Sequence, residues 1–246
     1  MSKAIKITKG LDLKLYGEPM PEVVETFVSE YALKPKDFIG LTPKLLIEEG
    51  ERVKAGTPLF YAKGKEKVLF TSPISGVVKQ VKRGEKRVIE EVIISADETI
   101  EYLDFGISSI SELNAEQIKE KLLISGAWTL LRQRPYSVVP NPDTNPKCII
   151  VSGFSSAPLA PDYSILLKGL GAELQVGVDA LKKMTGVTIH VNLPSQNARA
   201  EELSKLQNVQ INTFEGKHPC GNVSVQIEKL DPINKGERVW YLDAQD

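Results

Sequence analysis

Few side chains in this sequence could carry a proton or an electron near neutral pH. The 246 residues include two histidines, His190 and His218, and two cysteines, Cys148 and Cys220. Neither cysteine belongs to a Cys-x-x-Cys or Cys-x-His pattern, so the sequence has no signature of a zinc site or an iron–sulfur cluster. Acid–base chemistry would have few participants, which disfavours a hydrolase. We expect both thiols to be reduced and unreactive.

The overall composition limits the partners of the chain. Its 31 basic and 32 acidic residues give a formal charge of −1, and 41% of the residues are hydrophobic, as in ordinary globular proteins. The densest basic stretch, residues 79–87, is interrupted by apolar residues at strand spacing, so no nucleic-acid partner is expected. No window approaches the roughly 18 apolar residues of a membrane-spanning helix, and residues 1–10 contain no apolar stretch of secretory length, so we expect neither a span nor a secretory leader.

Residues 40–104 predict a small all-β module, because short β-type runs alternate with glycine and proline turns. The run Glu-Gly-Glu-Arg-Val-Lys-Ala-Gly-Thr-Pro-Leu at 49–59, a hairpin, and Ser-Pro-Ile-Ser-Gly-Val-Val at 72–78 resemble the biotinyl/lipoyl-like barrel-sandwich module. Carriers of that type bear their cofactor on one lysine at the hairpin tip. Here Lys63, Lys65 and Lys67 alternate with Gly and Glu, which predicts a solvated tip. The alternative interpretation is that the chain is a lipoyl- or biotinyl-type carrier or a transferase subunit.

Residues 105–246 predict a Rossmann-like α/β domain. The spacing of Asn114 and Gln117 is that of a capping box and predicts a helix through Leu123, and a second short helix is expected to end at Pro135. Further on, strands are expected at 148–151, 187–191 and 209–212, and helices at 162–170, 173–184 and 198–206, with Gly171 and Gly186 ending the first two. This alternation favours an open parallel sheet with right-handed crossovers. Residues 1–39 are left as an N-terminal strand and linker segment.

Separated blocks along the chain carry a family resemblance. They are Ile-Thr-Lys-Gly-Leu-Asp-Leu at 7–13, Gly-Glu-Pro at 17–19, Gly-Glu-Lys-Arg-Val at 84–88, Gly-Ala-Trp-Thr-Leu-Leu-Arg-Gln-Arg-Pro-Tyr-Ser at 126–137, His-Pro-Cys-Gly at 218–221, Val-Trp at 239–240 and Gln-Asp at 245–246. With them the sequence resembles the A subunit of the sodium-translocating NADH:quinone oxidoreductase. Members of that family are much longer, so we expect an N-terminal fragment.

The resemblance implies a peripheral subunit on the cytoplasmic face of the bacterial inner membrane. It would belong to a six-subunit complex that oxidises NADH, reduces ubiquinone or menaquinone and exports sodium, and it would dock on a membrane subunit. The resemblance implies that FAD, FMN and iron–sulfur centres lie elsewhere in the complex, and that the isolated chain is inactive and binds no flavin or metal. The α/β layer would be related to the flavin subunit of complex I. There a glycine-rich loop meets the FMN phosphate, whereas residues 126–135 keep one glycine.

Within this family context, four residues are candidates for contact with quinone. His218 could donate a hydrogen bond to a quinone carbonyl, and Trp128 with Arg132 and Arg134 could form an aromatic and cationic pocket for the quinone head or a docking patch. Structural interpretations stay open for each of them. A tryptophan beside two leucines is typical of a core, and a histidine before proline can order a turn. His190, which alternates with apolar residues, is expected at the edge of the core.

Overall fold

The chain forms two compact units, seen in a computed structural model that describes residues 2–13, 15–17, 20, 22, 24–195 and 201–246. The α/β unit comprises the described residues of 1–22, 132–135 and 144–246, and the β unit those of 23–131 and 136–143. In chain order, the strands are β1 (Ala4–Ile7), β2 (Glu30–Leu33), β3 (Pro43–Leu45), β4 (Arg52–Val53), β5 (Pro58–Ala62), β6 (Lys65–Thr71), β7 (Gly76–Arg83), β8 (Ile89–Ala96), β9 (Arg132–Arg134), β10 (Cys148–Ser152), β11 (Thr188–Pro194), β12 (Gln210–Gly216) and β13 (Val239–Asp243). The helices are α1 (Ala115–Ile124), α2 (Tyr163–Leu166), α3 (Gly171–Thr185), α4 (Glu201–Ser204) and α5 (Val223–Leu230).

The β unit confirms the predicted all-β barrel-sandwich module. Its two antiparallel sheets have the strand orders β2-β8-β7-β4 and β3-β5-β6. The core contains fully buried side chains from both sheets, and the rings of Phe60 and Phe70 stack with centroids 4.9 Å apart. Short β-type runs separated by glycine and proline turns were therefore sufficient to predict the sheets of this unit.

The α/β unit contains a six-stranded sheet in the order β1-β12-β11-β10-β13-β9. All neighbouring strands are parallel except β9, which runs antiparallel to β13, so the sheet is mixed and the prediction of a purely parallel layer is wrong at this edge. β10 is buried along its whole length, as its continuous apolar run predicted. Because β11 and β12 lie on one side of β10 and β13 on the other, the strand order reverses beside β10. Ligands of open α/β sheets bind at the carboxyl ends of the strands at such a point.

Some of the predicted helix starts and ends are confirmed by the structure and others are wrong. The capping box of α1 is confirmed, since Asn114 and Gln117 each accept the other's main-chain N–H at 2.9 Å. The second short helix is present as a 3-10 helix at Ala127–Leu130, but its expected end at Pro135 is wrong, because Arg132–Arg134 form β9, whose backbone pairs with β13. Gly186 ends α3 in the left-handed conformation, as expected. Gly171 instead begins α3, and Gly169, with φ of +81°, adopts the left-handed conformation before it.

The two units of the structure do not divide the chain after residues 39 and 104, where the sequence predicted the domain boundaries. β1 pairs with β12 and joins the α/β unit, whereas β2 pairs with β8 in the β unit. Residues 105–131 also group with the β unit, because α1 packs on β6. β1 lies in the predicted N-terminal strand and linker segment, whereas α5 was not predicted from the sequence.

Two sequence predictions involve residues that the structure does not describe. Of the helix expected at 198–206, residues 198–200 lie outside the described residues, and α4 is the described part. Glu18 and Pro19 of the block at 17–19 also lie outside them. Among the helices that are described, none combines the length and the apolar character needed to cross a bilayer.

Candidate functional site

Three of the four predicted contact residues, Arg132, Arg134 and His218, belong to the α/β unit. His218 follows the carboxyl end of β12, and Arg132 pairs with Tyr241 in the middle of β13. Arg134 lies two residues further along β9, opposite Val239. The two arginines thus lie in the sheet and His218 lies in the loop after β12, and each of the three has its own set of partners.

The imidazole of His218 is held by the loop that follows β10. Its Nδ1 lies 3.0 Å from the hydroxyl of Ser156, and the same hydroxyl accepts the main-chain N–H of Gly221 at 2.8 Å. A Cβ at Gly221 would lie 2.3 Å from the backbone nitrogen of Ser156, which leaves no room for a side chain there. Glycine in the His-Pro-Cys-Gly block therefore permits the approach of the two loops.

The backbone of His218 is fixed from the other side by the chain that follows β1. The N–H of His218 donates to Oδ1 of Asp12 at 2.9 Å, and its carbonyl accepts the N–H of Leu11 at 2.9 Å. Gly10 permits this contact, since a Cβ there would lie 2.3 Å from the carbonyl oxygen of His218. The sequence blocks at 7–13 and 218–221, which carried the resemblance, thus meet in the fold.

These contacts have a consequence for the tautomer of His218. After accepting the Gly221 N–H, the Ser156 hydroxyl keeps one hydrogen and one lone pair, so it can donate to Nδ1 or accept from it, according to the tautomer of the ring. When it donates that hydrogen to Nδ1, the ring proton lies on Nε2. The half-buried ring then offers an N–H donor to a ligand oxygen.

A buried polar chain supports the same loop from inside the unit. Gln226 on α5 donates to the carbonyl of Gly221 at 3.3 Å and accepts from Asn192 at 2.9 Å. Asn212 in turn donates to Asn192 at 3.0 Å and lies 3.3 Å from Nδ1 of His190. All four side chains of this chain are buried, so His190 belongs to the core, and burial lowers its pKa. Sequence reasoning missed the polar chain, although polar residues at alternate positions of a buried strand were its signal.

Both cysteines are buried thiols. Burial raises the pKa of Cys148 to about 12. The Cys220 thiol donates to the carbonyl of Gly216 at 3.0 Å, and burial raises its pKa as well. A raised pKa suppresses the thiolate, the reactive form of cysteine, in agreement with the expectation for both residues.

Arg134 has an aromatic partner other than the predicted one. Its guanidinium carbon lies 5.5 Å from the centroid of the Tyr241 ring, a cation–π distance, and its Nη2 donates to Ser224 at 2.5 Å. β9 and β13 bring the arginine and the tyrosine to one face of the sheet.

Arg132 lies in an electrostatic cluster at the reversal point of the sheet. Burial raises the pKa of Asp243, the Asp246 charge raises it further, and Arg132 opposes the shift. Burial likewise raises the pKa of Asp246. The pKa of Tyr163 rises to about 12, first through burial and then through both carboxylates. The Ala244 N–H donates to the carbonyl of Ser152 at 2.9 Å, which fixes this cluster beside β10.

Trp128 lies in the β unit and is fully buried. Its indole N–H donates to the carbonyl of Pro140 at 3.0 Å. The glycine retained nearby, Gly126, has a left-handed backbone, and a Cβ on it would lie 2.3 Å from the hydroxyl of Thr71. Both residues are therefore used in packing within this unit.

The three lysines of the hairpin are distributed over the turn and β6. Lys63 is exposed at the turn between β5 and β6, whereas Lys65 and Lys67 lie within β6. The predicted solvated tip is confirmed at Lys63 and Gly64, which are exposed.

The antiparallel β unit and the mixed-sheet α/β unit place the chain among proteins that combine a barrel-sandwich domain with an α/β domain. Residues 5–97 match the family model described as NqrA N-terminal barrel-sandwich hybrid domain. Residues 113–246 match the model described as NqrA second alpha/beta domain. The chain belongs to the NqrA family.

Curated relatives agree with this assignment. The chain is 36% identical to the A subunit of Na(+)-translocating NADH-quinone reductase from Serratia proteamaculans, over 98% of this chain and 55% of the relative. It is 34% identical to the protein of the same name from Yersinia pestis and 36% identical to that from Pseudomonas aeruginosa, in each case over 98% of this chain and 54% of the relative. The chain thus spans about half the length of the curated relatives it matches.

Proposed function

We propose that the chain acts as part of the A subunit of a membrane complex that couples NADH oxidation and quinone reduction to sodium export. Its place is peripheral, on the cytoplasmic face and against a membrane subunit, while FAD, FMN and iron–sulfur centres belong to other subunits. The names of the relatives support this proposal. The strand order around β10 supports the proposed relation of the α/β unit to the flavin subunit of complex I, because Rossmann-like sheets reverse at this point.

Within that complex, we propose that the loop carrying His218 contacts quinone. The observation that carries the proposal is the Ser156 hydroxyl between the Gly221 N–H and Nδ1 of His218. Because quinone carbonyls accept hydrogen bonds, an Nε2–H held in a fixed orientation complements them.

The two arginines have a weaker, supporting role in this proposal. Arg132 and Arg134 add positive charge to the same sheet, and the Arg134–Tyr241 pair offers a flat cationic surface. Trp128 is left out because its indole is buried in the other unit.

The test is the quinone KM of an assembled complex that carries His218→Phe. Loss of one hydrogen bond to a neutral acceptor, worth about 0.5–1.5 kcal/mol, raises the KM about 2- to 12-fold. NADH oxidation by an artificial acceptor that bypasses quinone stays unchanged. The matched control is Lys217→Gln, which alters the exposed neighbour of His218. An unchanged KM in the His218 variant, with normal assembly, would contradict the quinone contact.

A further inference from the structure

The β unit has a groove at one end of its four-stranded sheet. The groove has a volume of about 390 Å³ and lies between residues 25–28, which precede β2, and the end of β8 with the chain that follows it, at residues 96–98 and 100. Its apolar surface includes Phe27, Ile74 and Ile100. Phe27 is 62% exposed and Ile100 is 41% exposed, so apolar area at the rim faces solvent. A space of this size accommodates one or two side chains of another segment.

The charge of the groove is strongly asymmetric. Its lining includes the carboxylates of Glu25, Asp97 and Glu98, and among the described residues that line it none is a lysine or an arginine. Asp97 is paired with Arg52 at 3.0 Å. In the described part of the chain, Glu25 and Glu98 have no ion-pair partner, and both are exposed at the rim. Since the whole chain carries only −1, this local excess is not a consequence of overall composition.

The groove adjoins a free sheet edge. β2 is the terminal strand of the order β2-β8-β7-β4, and within the described residues no strand pairs with its outer side. Tyr31 of β2 also lines the groove. Unpaired main-chain groups of an edge strand can bind an added extended segment, and adjacent pockets then select its alternate side chains.

We propose that this groove, lined by Glu25, Phe27, Asp97, Glu98 and Ile100, is a docking site for a basic, amphipathic segment of a partner subunit in extended conformation. Lysine or arginine side chains of the segment pair with Glu25 and Glu98, and its apolar side chains cover Phe27 and Ile100. The acidic rim disfavours an anionic membrane surface, because like charges repel.

The first test uses the chain itself and an eight-residue peptide of alternating lysine and valine as the probe. The peptide binds, and Glu25→Lys/Glu98→Lys weakens binding about tenfold, since each reversal removes an exposed ion pair and adds repulsion. Glu112→Lys/Glu120→Lys is the matched control, because both residues are exposed in the same unit and the change in net charge is equal. This control changes the affinity less than twofold. Equal loss in the two double variants, or equal binding of a glutamate–valine peptide, would overturn the proposal.

Two further measurements test whether the apolar surface of the groove takes part in binding and whether a second copy of the chain occupies the groove. Phe27→Ser weakens peptide binding about threefold at an unchanged urea midpoint, which shows that the apolar surface takes part. A concentration-dependent dimer that Glu25→Lys/Glu98→Lys abolishes would assign the groove to a second copy of the chain, and so would contradict a partner segment.

The second test uses the assembled complex, with a photoreactive phenylalanine analogue in place of Phe27. The proposal predicts a crosslink to a peptide of another subunit that contains at least two lysines or arginines within ten residues. A crosslink to lipid, to the same chain or to a segment without basic residues, or no crosslink at all, would overturn it. This arm rests on the proposed membership in the complex, whereas the peptide titration does not, so failure of the quinone contact leaves the peptide result intact.

Discussion

The hydroxyl of Ser156 joins the loop after β10 to the loop that carries His218, and Ser156→Ala removes this link. The substitution eliminates the 2.8 Å hydrogen bond from the Gly221 N–H and the 3.0 Å contact with Nδ1 of His218. At about 0.5–1.5 kcal/mol for each, the free energy of unfolding falls by about 1–3 kcal/mol. The upper end applies if the Gly221 N–H is left without a partner.

Urea unfolding of the chain measures this loss, and ¹⁵N NMR of the imidazole reports the tautomer of His218. In the unchanged chain the ring proton resides on Nε2, and in Ser156→Ala the two tautomers mix. Ser204→Ala is the control, because it removes an exposed hydroxyl bonded to the carbonyl of Glu201 and costs within about 0.5 kcal/mol. If Ser156→Ala costs no more than Ser204→Ala and leaves the imidazole signals unchanged, Ser156 does not orient His218.

Three other predictions concern packing and burial in the α/β unit. Gly153→Ala destabilises the unit by about 1–3 kcal/mol, because its Cβ would lie 2.7–2.9 Å from neighbouring atoms. Gly177→Ala, whose Cβ would lie in open space on α3, stabilises the unit by about 0.5–1 kcal/mol. Urea titration of the two variants measures both changes. Burial lowers the pKa of His190, so the folded state prefers the neutral ring and the free energy of unfolding falls as the pH drops below 6.5. Urea titrations at several pH values measure this dependence, and His190→Gln makes it smaller. The pKa of Cys148 is raised from 9.0 to about 12, so stability falls as the pH rises through this range, and Cys148→Ala reduces the slope of the unfolding free energy against pH.

Local signals in the sequence were sufficient for elements that bury their own side chains or satisfy their own backbone. The capping box of α1 and the fully apolar run of β10 are of this kind. β9 could not be predicted in the same way. Its three residues are all polar, and they form a strand only because β13, more than a hundred residues later, supplies the partner backbone.

The candidate site could also be predicted only where it depends on local sequence. His218 could be singled out by residue type, but its partners Ser156 and Asp12 come from loops remote in sequence and are brought together by the order of the strands. Trp128 and Arg134 are close in sequence, yet they belong to different units. The prediction that they share one pocket failed because the boundary between the two units lies between these residues.

The most direct test of the proposed function is photolabelling of the assembled complex with a photoreactive quinone analogue, followed by peptide mapping. If the loop carrying His218 contacts quinone, the peptide that contains residues 216–222 is labelled, and the label is suppressed by excess unlabelled quinone and reduced by His218→Phe. Label confined to other subunits, or to peptides of this subunit that lie outside this loop, would contradict it.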